Sequence, residues 1–217
     1  MKVLVIDVGG THVKVLATGK RAHREFASGP HLTPRAMVRG VKALSADWRY
    51  AAVSIGYPGP VRNGRPARDP WNLGRGWVGF DFRRAFGVPV RIVNDAAMQA
   101  LGSYRGGRML FLGLGTGLGS ALIVDGALAP LELAHLPYRH GKSYEHFLGV
   151  HGFHRLGAPR WRACVRDVVA LFTAAFQVDD VVLGGGNARH LRALPAHARR
   201  GNNDLAFRGG FELWKER

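Results

Sequence analysis

Cysteine is almost absent from this chain of 217 residues, which contains only Cys164. A single cysteine excludes an intrachain disulfide and any metal site built from several cysteines. Because Cys164 stands in an apolar stretch with helical spacing, we expect it to be a core residue.

Long apolar runs are also missing. The first run, residues 3–6, stops at Asp7, and the longest nearly apolar segment covers only residues 168–176. Both are too short for a membrane span or the apolar part of a signal peptide. We therefore expect a cytoplasmic protein without a membrane partner.

Acidic residues are scarce: 15 Asp and Glu stand against 31 Lys and Arg, which gives a formal net charge of +16. Such a charge attracts polyanions, including polyphosphate, nucleotides, nucleic acid and acidic lipid. An arginine-rich coding background explains the same composition, so both interpretations stay open. The basic residues are scattered, which argues against a disordered basic tail.

Strand-like and helix-like segments alternate along the chain, a pattern typical of an α/β fold. Apolar runs predict strands at residues 2–7, 13–17, 50–55, 88–93, 109–114, 120–124 and 180–183. Helical spacing and capping residues predict helices that start after Thr33 and at residues 96–103, 161–176 and 204–214.

The sequence Asp7-Val8-Gly9-Gly10-Thr11 places a carboxylate at the end of a strand, directly before a glycine turn. Gly9 and Gly10 let backbone N–H groups approach phosphate oxygens, and the Thr11 hydroxyl adds a donor. Asp7 could hold Mg²⁺ directly or through water, because this cation prefers oxygen ligands. An ordinary glycine hairpin with a capping aspartate has the same pattern, so the motif alone does not decide.

A second glycine turn, Gly115-Thr116-Gly117, also stands between two predicted strands. No Gly-Lys-Ser/Thr follows it, which excludes a Walker loop, and a strand follows where a dinucleotide-binding motif needs a helix. Two such hairpins indicate two lobes that hold one phosphate chain from opposite sides.

Asn94-Asp95 stands where a predicted strand ends and a helix begins. A carboxylate at a strand tip suits the base that phosphoryl transfer to a hydroxyl requires. The same dipeptide is common helix-capping chemistry, and the residues alone favour neither interpretation.

Glu132, His135 and Glu145 lie close together in the sequence and could form a fork for sugar hydroxyls. A zinc site is the disfavoured alternative, because zinc needs four ligands and no cysteine flanks these residues. The histidines that would have to supply such a site are His140, His146, His151 and His154.

Taken in order along nearly the whole chain, these motifs resemble those of the ROK sugar kinases, within the actin–hexokinase–Hsp70 superfamily. The matching segments are DVGGTHVK (7–14), GYPGPV (56–61), PWNLGRGWVGF (70–80), NDA (94–96), LGTGLGSALI (114–123), ELAHL (132–136) and VVLGGGNAR (181–189). Within the family, the sequence most resembles the polyphosphate and polyphosphate/ATP glucokinases. The resemblance implies an actin-like (ribonuclease H-like) α/β fold, with an N-terminal lobe of residues 1–95 and a C-terminal lobe of residues 96–217 facing a cleft. We expect the last helix to pack back on the N-terminal lobe.

The resemblance also implies roles for individual residues. Asp95 would take the proton of the sugar hydroxyl, and Asp7 would hold Mg²⁺. The residues that would contact the sugar are Asn72, Asn94, Glu132, His135 and Glu145. The residues that would hold the phosphoryl donor are Gly9, Gly10, Thr11, Gly115, Thr116, Gly117, Gly184, Gly185 and Gly186.

Two features depart from the family pattern. Many relatives carry a cysteine-rich zinc site after a Glu-x-Gly-His element, whereas residues 138–148 here contain no cysteine and Ala134 replaces the glycine. We therefore expect Mg²⁺ but no structural zinc. The chain is also shorter than most relatives, which leaves its phosphoryl donor and full activity open.

The sequence thus predicts a glucokinase that uses polyphosphate, ATP or both, and the family suggests a homodimer. One alternative is an ATP-dependent kinase of another hexose, and another is a non-catalytic module that binds polyanions or nucleic acid. Family repressors carry a DNA-binding domain before the first strand, and this sequence opens with its first strand. We therefore do not expect nucleic acid as a physiological partner, and Asp95 argues against the binding module because a binder needs no base.

Overall fold

The computed structural model describes residues 1–215, which fold into two compact units. The first unit contains residues 1–98 and the segment that starts at Ala206, and the second contains residues 99–205. Each unit is built on a five-stranded sheet covered by helices.

The sheet of the first unit has the strand order β3-β2-β1-β4-β7. Its strands are β1 (Val3–Val8), β2 (His12–Ala17), β3 (Arg24–Ala27), β4 (Ala52–Tyr57) and β7 (Val90–Asn94), and a separate ribbon contains β5 (Val61–Arg62) and β6 (Arg65–Pro66). Strands β1, β2 and β3 pair antiparallel, whereas β4 and β7 continue the sheet in parallel to β1. Every residue of β4 is buried, as expected for a central strand covered on both faces.

The helices α1 (Pro34–Leu44), α2 (Phe82–Phe86) and α6 (Leu205–Glu212) pack in the first unit, and α3 (Asp95–Ser103) begins there. The predicted start of α1 is confirmed, because the Thr33 hydroxyl accepts a hydrogen bond from the Ala36 N–H at 3.3 Å. Helix α6 contains two glycines because it lies very close to β1. A Cβ atom at Gly210 would come within 2.3 Å of Val5 Cγ1.

The sheet of the second unit has the order β10-β9-β8-β13-β14. Its strands are β8 (Arg108–Leu114), β9 (Leu118–Val124), β10 (Ala127–Leu131), β13 (Asp180–Gly184) and β14 (Ala198–Arg200), and a separate ribbon contains β11 (Pro137–Arg139) and β12 (Lys142–Ser143). Two antiparallel pairings are again followed by two parallel ones. The two sheets therefore have the same topology.

The helices of the second unit are α4 (Tyr144–Leu148) and the long α5 (Val150–Phe176). Helix α5 is interrupted at Gly157, whose φ of 71° is not helical, just before Pro159. The sequence predicted only its second part, where the core positions of Trp161 and Cys164 are confirmed. Within residues 1–215, no helix is both long and apolar enough to cross a membrane.

Several predicted bounds were wrong by small amounts. The strands predicted at residues 50–55 and 88–93 are Ala52–Tyr57 and Val90–Asn94, and the last helix ends at Glu212 and not at residue 214. These shifts fall where strands and helices border turns, at which the sequence signal for an element is weakest.

Candidate active site

The first glycine hairpin connects β1 to β2 and presents two unused donors. The Gly9 N–H donates to the His12 carbonyl at 2.9 Å, and the Ser28 hydroxyl donates to the Gly9 carbonyl at 2.6 Å. In the described part of the chain, the N–H groups of Gly10 and Thr11 have no hydrogen-bond partner. Two adjacent backbone N–H groups of this kind can bind a phosphate oxygen.

Asp7 lies one residue before this hairpin, opposite Lys14 of β2 and Gly56 of β4. Burial raises the pKa of Asp7 to about 6, and the positive charge of Lys14 offsets this increase only in part. The carboxylate is therefore poorly compensated by the protein itself.

The surroundings of Asp7 fit a magnesium ion held mainly by water and phosphate. Mg²⁺ usually binds to one or two carboxylates while it keeps several waters and contacts substrate phosphates. No group of three or more His, Cys, Asp or Glu in residues 1–215 could form a closed metal site. A single undercompensated carboxylate in the strand that leads into this hairpin matches the open kind of site.

Asn72 lies directly against the first hairpin. A Cβ atom at Gly10 would be only 2.0 Å from Asn72 Nδ2, so a side chain at position 10 would displace the amide. The loop that carries Asn72 is ordered by Asp69, whose carboxylate accepts hydrogen bonds from the backbone N–H groups of residues 76–78. These bonds also hold the pKa of Asp69 below its usual value, although partial burial opposes them. The structure thus brings a predicted sugar contact to a predicted donor glycine.

Asn94 and Asp95 have different local roles. Asn94 Oδ1 accepts from the N–H groups of Ala96 and Ala97 at 2.9 and 3.3 Å, and its Nδ2 donates to the Gly59 carbonyl at 3.1 Å. Asn94 therefore caps helix α3 and ties it to the turn after β4. Asp95 opens the helix, where the positive end of the helix dipole stabilises an ionised carboxylate. The Ala96 N–H also lies 2.7 Å from Asp95 Oδ1.

The second glycine hairpin connects β8 to β9 and is held by more partners than the first. The Gly115 carbonyl accepts hydrogen bonds from the Val150 N–H and from Asn187 Nδ2, both at 3.1 Å. The N–H groups of Thr116 and Gly117 have no partner within residues 1–215. This hairpin therefore presents the same pair of donors as the first one.

Glu145 lies against the second hairpin. A Cβ atom at Gly117 would be 2.4 Å from Glu145 Oε2, and the Leu118 N–H points to the same oxygen at 3.4 Å. The sequence predicted Glu145 only as a sugar contact. Its position next to the second hairpin had no signal in the sequence, because Leu118 and Glu145 are separated by 27 residues.

A short 3-10 turn in the same unit, Leu133–His135, begins directly after Glu132 and ends with His135. Glu132 Oε2 and His135 Nε2 are 4.0 Å apart, and both side chains are well exposed. The turn is anchored by Ser120, whose hydroxyl donates to the Leu131 carbonyl and accepts from the Leu133 N–H. Both polar side chains are thus available to a ligand.

The third glycine run, which begins at the end of β13, packs tightly on β8. Gly185 has a φ of 79°, and a Cβ atom there would be 2.5 Å from the Leu114 carbonyl oxygen. A Cβ atom at Gly184 would be 2.5 Å from Phe111 Cζ, whereas Gly186 has open space around it. The run ends at Asn187, a residue to which sequence reasoning assigned no role although it follows the glycines directly.

Comparisons with known proteins identify the family. The ROK family profile matches residues 3–130. The chain belongs to the ROK family. It is 29% identical over 206 residues to a polyphosphate glucokinase of Mycobacterium tuberculosis (strain CDC 1551 / Oshkosh), a match that covers 85% of this chain and 77% of that protein. It is also 31% identical over 144 residues to an N-acetylmannosamine kinase of Salmonella newport, with 59% of this chain and 49% of that protein covered.

The fold is similar to that of an inorganic polyphosphate/ATP-glucomannokinase from Arthrobacter sp. strain KM, with a TM-score of 0.81. The two are 23% identical, and the match covers 98% of this chain and 97% of the other. The predicted actin-like α/β fold is confirmed. The prediction of a ROK sugar kinase, a phosphotransferase with an alcohol acceptor, is confirmed as well.

Proposed function

We propose that this protein transfers a phosphoryl group from polyphosphate, ATP or both to the 6-hydroxyl of glucose, with Asp95 as general base. The observation that carries the proposal is the repeated glycine hairpin. In each unit, two adjacent N–H groups have no partner within the described residues, at Gly10 and Thr11 and again at Thr116 and Gly117. Such groups stabilise charge on phosphate oxygens.

Asp95 is proposed to accept the proton of the glucose 6-hydroxyl. The freed oxygen attacks the terminal phosphorus, and the bond from that phosphorus to the rest of the donor breaks. Polyphosphate leaves shortened by one phosphate, and ATP leaves as ADP. The position of Asp95, directly after the last residue of β7, supports this role because it places a carboxylate at the tip of a strand.

The proposed sugar contacts are Asn72, Asn94, Glu132, His135 and Glu145. Their amide, carboxylate and imidazole groups suit the many donors and acceptors of a hexose. We propose glucose as the acceptor, and not N-acetylmannosamine, because of the extent of the two matches. The polyphosphate glucokinase matches 85% of this chain, whereas the N-acetylmannosamine kinase matches 59%.

Asp7 is proposed to hold Mg²⁺. When bound, the ion neutralises charge on the donor phosphates. The remaining donor contacts are proposed for Gly9, Gly10, Thr11, Gly115, Thr116, Gly117, Gly184, Gly185 and Gly186. The homodimer and the cytoplasmic location stay predictions.

A coupled assay for glucose 6-phosphate tests the proposal, with Mg²⁺ and with either long-chain polyphosphate or ATP as donor. We expect product from polyphosphate, and a rate that falls steeply with salt because polyanion binding does. Product from ATP alone would limit the proposal to an ATP-dependent kinase. Product with N-acetylmannosamine or another hexose, but not with glucose, would contradict the proposed acceptor.

A further inference from the structure

Three arginine side chains from three different elements converge on His190 and Leu191. Arg162 Nε donates to the His190 carbonyl at 2.7 Å, and an Arg200 Nη2 group donates to the Leu191 carbonyl at 2.6 Å. Arg189 Nε lies 3.3 Å from His190 Nε2. The exposed Arg192 follows Leu191 directly, and we call these four residues the arginine cluster.

The cluster carries four positive charges that no carboxylate compensates in the described part of the chain. Two other arginines of the same unit are paired: Arg139 lies 3.0 Å from Asp167, and Arg199 lies 2.7 Å from Asp180. None of the ion pairs within residues 1–215 includes a member of the cluster. The carbonyl groups of His190 and Leu191 fix the side chains of Arg162 and Arg200 without neutralising them, and each guanidinium keeps further donors.

The cluster adjoins the donor elements of the second unit. Its member Arg189 stands two residues after Asn187, which is bonded to the Gly115 carbonyl of the second hairpin. The His190 ring stacks on Phe153 with the ring centroids 4.4 Å apart, and this contact holds the segment in place. The positive charges are therefore attached to the same segment that positions the donor hairpin.

We propose that the arginine cluster binds the inorganic polyphosphate chain beyond the phosphates that react. This inference rests on the proposed use of polyphosphate as a donor and adds a site to it. A long polyphosphate chain carries charge at every unit and can contact several guanidinium groups at once. A cluster of uncompensated guanidinium groups therefore suits polyphosphate better than the short triphosphate of ATP. Single-stranded nucleic acid suits the cluster less well, because its binding sites usually include aromatic rings on which the bases stack. The phenylalanine ring at this cluster, that of Phe153, is already stacked on His190.

A pair of double variants tests the site. Arg189→Gln with Arg192→Gln removes two exposed charges of the cluster and leaves Arg162 and Arg200, which hold the backbone. The matched control is Arg83→Gln with Arg84→Gln, which removes two exposed neighbouring arginines of the first unit that also lack ion pairs within residues 1–215. Binding of fluorescently labelled long-chain polyphosphate is measured by anisotropy over a range of salt concentrations, without glucose.

We expect the cluster variant to weaken polyphosphate binding about 10-fold and to reduce the slope of log affinity against log salt by about 1 to 2. The control should change affinity by less than about twofold. In the cluster variant, the KM for ATP should change less than the KM for long-chain polyphosphate.

Equal losses of polyphosphate affinity in both double variants would show a general effect of charge and overturn the site. Unchanged binding in the cluster variant would overturn it too, as would displacement of polyphosphate by duplex DNA at equal charge concentration. Cluster-dependent binding without any sugar phosphorylation would contradict the proposed function and leave this site standing.

Discussion

The two units repeat one sheet topology, yet their glycine hairpins are built differently. In the first unit, the second residue pair from the turn is Asp7 and Lys14. In the second unit, the corresponding pair is Gly113 and Gly119, which carry no charge. Both hairpins present two adjacent N–H groups without a partner in the described residues.

The supports of the two hairpins differ as well. The Gly9 carbonyl accepts one hydrogen bond from the nearby Ser28, whereas the Gly115 carbonyl accepts from Val150 and Asn187. We infer that the first hairpin contributes charge and the second contributes a fixed position. Under the proposed function, the same backbone motif would serve two parts of phosphoryl transfer, charge neutralisation and alignment of the donor.

Among the changes to the two hairpins and their supports, the largest expected effect comes from Asp7→Asn, which removes the carboxylate that distinguishes the first hairpin. Activity with saturating Mg²⁺ should fall about 100-fold or more, because a ligand of the charge-neutralising ion is lost. Steady-state rates against Mg²⁺ concentration measure this loss. The control is Asp125→Asn, a change at an exposed turn residue with a φ of 48°. Asparagine also adopts this backbone conformation, so the control should keep full activity.

The same variant should be more stable than the wild type at neutral pH. The pKa of Asp7 is about 6 in the folded chain against an ordinary value of 3.8, so the folded state holds this proton more tightly than the unfolded state does. The free energy of unfolding therefore falls as the pH rises from about 4 to about 6, and the cost of about 3 kcal/mol persists above pH 7. Asp7→Asn should gain up to this amount at pH 7.5 without Mg²⁺ and almost nothing at about pH 3. Equal gains at both pH values would contradict the burial of an ionised Asp7.

The next prediction compares the two units by how much stability each loses when a glycine is replaced by alanine. Gly185→Ala should lower the free energy of unfolding by about 3 kcal/mol, because φ is positive and the new Cβ would meet the Leu114 backbone at 2.5 Å. Gly10→Ala should cost less than about 1 kcal/mol, since it meets the movable end of the Asn72 side chain. Its main effect should be a higher KM for glucose. Urea unfolding and sugar kinetics of the two variants test this contrast, and a larger stability loss in Gly10→Ala would reverse it.

The smallest effect concerns the bond from Asn187 to Gly115. Asn187→Ala should raise the KM for the phosphoryl donor about 3- to 10-fold, the value of one hydrogen bond, and should leave glucose affinity nearly unchanged. Gln177→Ala is the control, because it removes a similar amide-to-carbonyl bond, from Gln177 Nε2 to Ala174, at the end of α5. If both variants raise the donor KM equally, Asn187 acts through general stability and not through the hairpin.

Much of the fold could be predicted from the sequence, because its central strands are apolar runs bounded by glycine. The parts that were missed have weak local signals. The edge strand β10 is largely exposed and contains Pro130, and the first part of α5 contains Gly152 and ends at Gly157. Both residue types usually interrupt regular structure, so tertiary packing decides these segments.

The candidate site was predictable where the motif is local and not where it depends on distant partners. The hairpins and the Asn94-Asp95 pair are each contained in a few residues. The contact of Asn187 with Gly115 joins residues that are 72 positions apart, and the contact of Glu145 with Leu118 spans 27. The hydrogen bonds by which Asn94 and Asp95 both accept from the start of α3 also needed the geometry.

The most direct test of the account is the rate of phosphoryl transfer to glucose by Asp95→Asn, measured together with glucose affinity. We expect kcat to fall about 100- to 10,000-fold, the usual contribution of a general base, while the Kd for glucose stays within about threefold. The control Asp204→Asn, a change at an exposed aspartate before α6, should match the wild type. A kcat of Asp95→Asn within tenfold of the wild type, at unchanged glucose affinity, would contradict Asp95 as the base.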